Sequence, residues 1–175
     1  FKNKGIDVFI DAMGQLNRNN GLGKEVLAFI LVPAGHAGAN KELLHNLELP
    51  YQAVTSTDLY LTHYLNDSAN DPVMNRIRAQ KLRNSEEDKV KIFFVPSYLN
   101  GDDGVFNMPY YDLLVGMDLT AFPSYYEPWG YTPLESLAFK VPTITTTLAG
   151  FGLWVKEHYN MNHPGIEVIH REDGD

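Results

Sequence analysis

Cysteine is absent from the 175 residues of this chain. Its absence excludes disulfide bridges, a thiolate nucleophile and any metal site built on cysteine sulfur. Positive charge is scarce too, since 14 Lys and Arg face 22 Asp and Glu and leave a formal net charge of −8. A nucleic-acid-binding surface needs clustered positive charge, so we expect no nucleic-acid partner. The longest apolar run, Val26–Val32, is far shorter than the roughly 20 residues that span a bilayer, so we expect no membrane partner either.

The overall composition is that of an ordinary globular protein, with 44% hydrophobic and 21% charged residues. The length suits one domain, residues 1–175, or one domain with an insertion. The chain opens on Phe1 without an initiator methionine and ends shortly after an apolar segment at Gly165–His170. We therefore expect it to be a domain excised from a longer protein.

Hydrophobic periodicity divides the chain into alternating helices and strands. The predicted helices are Gly5–Asn17, Lys41–Leu47, Pro72–Leu82, Tyr110–Gly116, Thr132–Phe139 and Phe151–His158. The predicted strands are Val26–Val32, Val90–Val95, Leu119–Pro123, Thr143–Thr147 and Gly165–His170, while Leu59–Leu65 fits either a strand or a helix. This alternation is typical of an α/β fold with a doubly wound, Rossmann-like parallel sheet, carrying a partly helical insertion at about residues 34–88.

Two loops follow predicted strands and lead into helices, which is where such sheets bind ligands. They are Ser124–Tyr131 and Leu148–Gly152. In the first, Thr132 followed by Pro133 and Glu135 predicts a capping box with Thr132 as the N-cap. A helix that begins there exposes backbone N–H groups and positive partial charge, so it can hold a phosphate.

The same loop combines two acids with aromatic rings. Glu127 and Glu135 can accept hydrogen bonds from sugar hydroxyls, although a surface glutamate and a simple helix cap would give the same spacing. The neighbouring Tyr125, Tyr126 and Trp129 favour the sugar-binding interpretation, because aromatic rings that flank acids commonly hold a sugar ring.

The segment Phe122–Glu135, with Val141–Thr146 and Gly150–Gly152 after it, resembles glycogen synthase of the animal and fungal type. Phe1–Gly5 and Val95–Leu99 are similar to other segments of that family, so the resemblance covers nearly the whole chain. It implies a retaining glycosyltransferase of the two-Rossmann-domain (GT-B) architecture. This chain would be most of its C-terminal, nucleotide-sugar-binding domain.

The resemblance implies roles around the transferred glucose. Glu127 would contact the donor glucose and support an oxocarbenium-like transition state, and Lys4 would neutralise the leaving diphosphate. Trp129 and Gly130 would line the glucose pocket. The family's partner arginine falls before Phe1, so the isolated chain is expected to be inactive as a transferase.

It also implies roles around the nucleotide. Tyr131 and Thr132 would offer backbone amides to the diphosphate, and Glu135 would hold the ribose hydroxyls. Tyr110 would stack on the nucleobase, with Tyr98 near the base or ribose.

The implied reaction is front-face transfer of glucose from UDP-glucose to the 4-hydroxyl of an α-1,4-glucan such as glycogen, with the leaving UDP oxygen helping to deprotonate that hydroxyl. No metal or other cofactor is expected, because His158 and His163 have no third ligand beside them in the sequence. The implied partners are the two substrates and an N-terminal GT-B domain of the same polypeptide. The resemblance also allows a homo-oligomer of the full-length protein, in the cytoplasm.

Two alternatives to this function stay open at this point. A starch- or sucrose-synthase-like GT-B enzyme, or a non-catalytic nucleotide- or carbohydrate-binding module, would share part of this pattern. Stacking on an aromatic ring tolerates any base, so UDP-glucose and ADP-glucose are not distinguished. The stretch Ala34–Asp88 is shorter than the corresponding family insertion, which suggests a bacterial member.

Overall fold

A computed structural model of the chain describes residues 1–19, 21–49, 60–159 and 164–172. The chain divides into two compact units. Unit 1 comprises Phe1–Phe9 and Tyr111–Asp175, and unit 2 comprises Ile10–Tyr110.

Helices and strands alternate along most of the chain. After a short 3₁₀ turn at Lys2–Lys4, the helices are α1 (Ile6–Asn17), α2 (Lys41–Glu48), α3 (Pro72–Ala79), α4 (Tyr110–Leu114), α5 (Tyr131–Ala138) and α6 (Gly150–His158). The strands are β1 (Val26–Leu31), β2 (His36–Ala39), β3 (His63–Leu65), β4 (Val90–Val95), β5 (Thr120–Ala121), β6 (Thr143–Thr146) and β7 (Ile166–Ile169).

Unit 2 is organised around a parallel strand pair. Strands β1 and β4 run in register from Val26 opposite Val90 to Leu31 opposite Val95. Apart from Lys91, β4 consists of β-branched and aromatic residues, and the buried residues of unit 2 include Phe94 of β4, Ile10 of α1 and Ile77 of α3. Removing each such side chain from water contributes about 1.5–3 kcal/mol.

Unit 1 is organised around three parallel strands in the order β5-β6-β7. Helix α5 connects β5 to β6, and α6 connects β6 to β7, as consecutive parallel strands require. An apolar cluster of Phe151, Val155 and Val168 lies between α6 and β7, with Trp129 packed against it. The parallel strands confirm the predicted α/β class.

The structure differs from the predicted elements in three places. Strand β5 has two residues, shorter than the predicted Leu119–Pro123. Strand β2 was not predicted, and it pairs antiparallel with β3, so not every strand belongs to a parallel sheet. Helix α3 begins as predicted, with the Asp71 carboxylate accepting from two backbone amides, but it ends at Ala79.

The early end of α3 has a local cause. Lys81 and Asn84 have φ angles of 57° and 56°, and left-handed residues of this kind cannot continue a right-handed helix. The Asn84 amide then donates to the Ile92 carbonyl and accepts from the Ile92 N–H, both at 2.8 Å. The chain beyond α3 is therefore fastened to β4 instead of extending the helix.

Candidate active site

An ion pair joins the first residues of unit 1 to the loop Ser124–Tyr131. The Nζ of Lys4 donates to Oε2 of Glu127, although 123 positions of sequence separate the two residues. The Lys4 side chain is 54% exposed and that of Glu127 is 24% exposed. The Ser124 hydroxyl lies 3.5 Å from the same carboxylate oxygen. A cation and a carboxylate are thus held together at a surface that a ligand could reach.

The segment that carries Lys4 is fixed by its backbone. Gly5 adopts a left-handed φ of 66°, and a Cβ added there would lie 1.9 Å from the Pro123 carbonyl oxygen. The Tyr125 N–H donates to the Asn3 carbonyl at 2.9 Å. Glycine is therefore required where the chain turns against this loop.

The loop that carries Glu127 is tied to the loop after β6. The Glu127 N–H donates to the Leu148 carbonyl at 3.3 Å, and the Gly150 N–H donates to the Glu127 carbonyl at 3.1 Å. A Cβ on Gly150 would lie 2.2 Å from the Pro128 carbonyl oxygen, so this approach also depends on glycine. The two loops selected from the sequence, Ser124–Tyr131 and Leu148–Gly152, are in direct contact.

The aromatic residues of the first loop have different surroundings. Tyr126 is exposed, whereas Trp129 packs edge-on against Phe151, with ring centroids 5.8 Å apart, at the apolar cluster of unit 1. Tyr125 lies beneath the guanidinium of Arg171, which is 4.1 Å from its ring centroid. Arg171 also donates to the Pro123 carbonyl at 3.3 Å. Sequence reasoning missed Arg171 because its partners are distant in the chain.

The start of α5 corrects the predicted capping box. The N-cap is Gly130, at a φ of 96° and without a side-chain cap, so Thr132 is the second helical residue and Glu135 does not cap the helix. Pro133 is tolerated because amides of a first turn have no acceptor within the helix. Tyr131 and Thr132 are exposed, and their amides belong to this turn, where the helix dipole is positive.

Glu135 has a partner that the sequence did not reveal. The Tyr111 hydroxyl donates to Oε1 of Glu135 at 3.1 Å. The pKa of Tyr111 is raised, first by this hydrogen bond and then by the negative charge of the Glu135 carboxylate. Tyr111 stacks on Phe139, with ring centroids 5.0 Å apart and an interplanar angle of 17°. Tyr110 drew attention through the resemblance, and nothing in the sequence singled out its neighbour.

Unit 2 contains a cavity at the carboxyl ends of β1 and β4. It has a volume of about 350 Å³, and Tyr98 and Tyr110 both contribute to its lining, together with Leu31 and Leu99. Tyr98 is 76% exposed, and the Tyr110 N–H donates to the Leu99 carbonyl at 3.0 Å. The two tyrosines selected for the nucleobase therefore line the same cavity.

Two kinds of feature are absent from the described part of the chain. Within residues 1–19, 21–49, 60–159 and 164–172, His, Asp and Glu form no group of three or more suited to a metal ion. His163, considered with His158 in the sequence, lies outside those ranges. Among the same residues, no helix has the length and apolar character needed to cross a membrane.

Comparison with known proteins identifies relatives of nearly the whole chain. A family model described as Glycogen synthase matches residues 51–173. Over 98% of its length the chain is 31% identical to Glycogen [starch] synthase isoform 2 of Saccharomyces cerevisiae, covering 33% of that protein. It is 31% identical to Glycogen [starch] synthase of Neurospora crassa and 29% identical to Glycogen [starch] synthase, liver, of Rattus norvegicus, covering 32% of each over 98% of the chain.

The chain spans about a third of the length of the curated relatives it matches. The match to the S. cerevisiae protein extends over 234 residues, more than the 175 of this chain. That relative therefore contains residues, within the matched stretch, that have no counterpart here.

Proposed function

The chain belongs to the glycogen synthase family, and on that premise we propose that it is the donor-binding part of a retaining glucosyltransferase. The proposed reaction transfers glucose from UDP-glucose to the non-reducing 4-hydroxyl of an α-1,4-glucan. The proposed location is the cytoplasm, which agrees with the absence of cysteine.

The ion pair between Lys4 and Glu127 carries this proposal. An ion pair this exposed stabilises the fold by no more than about 1 kcal/mol, so its main consequence is to place opposite charges side by side. In the proposed reaction the Glu127 carboxylate faces the positive charge that develops on the glucose ring. Lys4 turns from Glu127 to the leaving diphosphate, whose growing negative charge it offsets. No step requires a metal ion.

The first turn of α5 supports a diphosphate site beside this pair. The backbone amides of Tyr131 and Thr132 lie at the positive end of the helix, where an anion is favoured. Gly130 precedes them at a left-handed φ of 96°, which residues other than glycine rarely adopt, and a Cβ there would fill space 3.4 Å from the Glu127 side chain. Glycine at this position leaves room for a sugar diphosphate to approach the backbone. Trp129, packed on Phe151, would form the firm wall of the glucose pocket.

Two contacts are proposed for the nucleoside. Glu135 accepts hydrogen bonds from the ribose hydroxyls. The nucleobase stacks on Tyr110 with Tyr98 at its edge, in a cavity whose volume is large enough for a pyrimidine ring. Stacking of a nucleobase on a tyrosine ring does not select one base over another, so ADP-glucose is the alternative donor.

The acceptor requires parts beyond these residues. We propose that an N-terminal GT-B domain of the same polypeptide binds the glucan, and that the full-length protein can form a homo-oligomer. The supporting fact is that the chain covers about a third of each relative named Glycogen [starch] synthase. The UDP oxygen that leaves the glucose accepts the proton of the attacking hydroxyl, so no side chain need act as a separate base.

Substitution of Glu127 in the intact protein that contains this chain tests the catalytic role. Glu127→Gln removes the charge with little change of shape, and we expect kcat to fall about 100-fold or more while the KM for UDP-glucose changes little. Turnover is measured as glucose transferred to glycogen. Glu157→Gln, the same substitution at an exposed residue of α6, is the matched control and should retain wild-type turnover.

Wild-type turnover by Glu127→Gln would refute the catalytic role of this carboxylate. If the intact wild-type protein bound UDP in titration calorimetry yet transferred no glucose from UDP-glucose or ADP-glucose, the non-catalytic module would be the better interpretation. If it used ADP-glucose in preference to UDP-glucose, the starch-synthase-like alternative would replace the proposal.

A further inference from the structure

Tyr111 contacts Glu135 of α5 and Phe139, the residue that follows this helix. Its hydroxyl donates to Oε1 of Glu135, and its ring stacks on Phe139. Glu135 and Phe139 are four residues apart, which places their side chains on the same helical face, one turn from each other. The Tyr111 side chain therefore spans one helical turn, from the ring of Phe139 to the carboxylate of Glu135.

The stack gives the hydroxyl a defined position. Two rings at a centroid distance of 5.0 Å and an angle of 17° are in an offset-stacked arrangement, which resists rotation of the tyrosine about its side-chain bonds. Tyrosine has few rotatable bonds to begin with, so little freedom remains at its tip. Glu135, by contrast, is partly exposed and has three flexible bonds. The hydrogen bond transfers the rigidity of the tyrosine to the carboxylate.

The bond also leaves the carboxylate able to accept further donors. An ionised carboxylate has about four lone-pair positions, and Tyr111 takes one of them at Oε1. Ordering a glutamate side chain costs conformational entropy, which a bound ligand must otherwise offset. A carboxylate ordered beforehand presents its remaining positions to the ligand at lower cost.

We propose that Tyr111 is a positioning residue that aims the Glu135 carboxylate at the ribose hydroxyls, and that it thereby strengthens the preference for a ribonucleotide over a deoxyribonucleotide. The proposal rests on the proposed function, because it takes Glu135 as the ribose acceptor. Tyr111 touches no reacting atom and acts through Glu135.

The test compares the affinities of UDP, 2′-deoxy-UDP and 3′-deoxy-UDP for the intact protein by titration calorimetry. The ratio of affinities is the readout, since a loss of folded protein weakens all three nucleotides equally and leaves the ratio unchanged. Tyr111→Phe retains the ring stack and removes the hydroxyl. We expect it to reduce the preference for UDP about threefold to tenfold, as the loss of one hydrogen bond to a charged group would.

Tyr64→Phe is the matched control. Tyr64 is 42% exposed, close to the 43% of Tyr111, and its hydroxyl accepts from the Lys41 N–H at 3.1 Å in unit 2. Removing this hydroxyl should leave the preference at the wild-type value. An equal change in Tyr64→Phe would overturn the proposal, because the effect would then not depend on Glu135.

Glu135→Ala separates the ribose-binding role of Glu135 from the positioning role of Tyr111. If Glu135→Ala abolishes the preference while Tyr111→Phe retains it, the positioning role of Tyr111 is wrong and the ribose role of Glu135 stands. If the wild type shows no preference, or Glu135→Ala does not change it, the ribose role fails and the inference fails with it. Reduced preference in both variants supports the proposal.

Discussion

Tyr98 and Tyr110 line one cavity of unit 2, but their surroundings differ. Tyr98 is 76% exposed, whereas Tyr110 is half-buried at the first position of α4, where its N–H is bonded to the Leu99 carbonyl. A ring held by a helix loses less freedom when a nucleobase stacks on it than a ring extending into solvent does. Tyr110 is therefore expected to contribute more to nucleotide binding than Tyr98.

Replacing Tyr110 tests this at the residue scale. Tyr110→Ala removes the stacking ring, and we expect the affinity for UDP to fall by about 1–3 kcal/mol, the usual contribution of one stacked base. Titration calorimetry on the intact protein measures it. Tyr110→Phe retains the ring and is the matched control. An equal loss in both variants, or no loss in Tyr110→Ala, would show that ring stacking is not what binds the base.

At the scale of elements, two loops depend on close backbone approaches at glycines. Gly5 brings the Lys4 segment against Pro123, and Gly150 brings the first turn of α6 against Pro128. The Gly150 N–H also donates to the Glu127 carbonyl. The position of Glu127 thus depends on the packing of α6 as well as on its own loop.

Gly150→Ala tests this dependence. Alanine is a better helix former than glycine and alone would stabilise α6 by up to about 1 kcal/mol. The added Cβ, however, would lie 2.2 Å from the Pro128 carbonyl oxygen, so the backbone must move. We expect the free energy of unfolding, measured by urea denaturation, to fall by about 1–3 kcal/mol.

Gly23→Ala is the comparison for that experiment. A Cβ at Gly23 would meet nothing within 4 Å, and its φ is not left-handed, so we expect stability to change little. If Gly150→Ala were as stable as the wild type, or more so, the contact between α6 and the Glu127 loop would be looser than its geometry implies.

For the molecule as a whole, the net charge and the individual charged groups have different effects. A formal net charge of −8 repels an anionic donor at long range, so a diphosphate must be held by Lys4 and by backbone amides at short range. Several aspartates nevertheless have pKa values below their ordinary range: Asp11, Asp67, Asp88 and Asp103. A carboxyl with a lowered pKa in the folded state stabilises the fold above its unfolded-state pKa, and this contribution disappears as the pH falls through the folded-state value.

Asp103 provides the sharpest test of this pH dependence. Burial raises its pKa, but hydrogen bonds from the backbone amides of Phe106, Val105 and Asn107 outweigh burial and lower it overall. Its side chain is fully buried. Asp103→Asn keeps one acceptor oxygen and loses the other, which accepts from the Asn107 N–H at 2.8 Å. We expect it to lower the free energy of unfolding at pH 7 by about 2 kcal/mol.

The difference between the wild type and Asp103→Asn should shrink as the pH falls below about 4, where the aspartate of the unfolded chain becomes protonated. Urea denaturation at a series of pH values measures it. Asp102→Asn, at the exposed neighbouring position, should match the wild type at every pH. A difference that stays constant down to pH 2 would exclude the ionised Asp103 carboxylate as its cause.

Local patterns in the sequence were sufficient to predict many of the helices and strands. Asp71 and Pro72 predicted the start of α3, and the apolar runs predicted β1 and β4, because caps and periodicity depend on residues only a few positions apart. The capping box at Thr132 was wrong for the same reason. Its residue types fit, but Gly130 could adopt a left-handed conformation and the helix began earlier.

The amino-acid order alone specified the α/β class, the family and the loop from Ser124 to Tyr131 that holds the acids. Folding decided which side chains meet. Lys4 and Glu127 are 123 positions apart, and Tyr111 and Glu135 are 24 positions apart, so neither contact leaves a periodic or motif signal in the chain. Such contacts arise where parallel strands and their crossover helices bring distant loops to one edge, and that depends on the packing of whole elements rather than on any local run of residues.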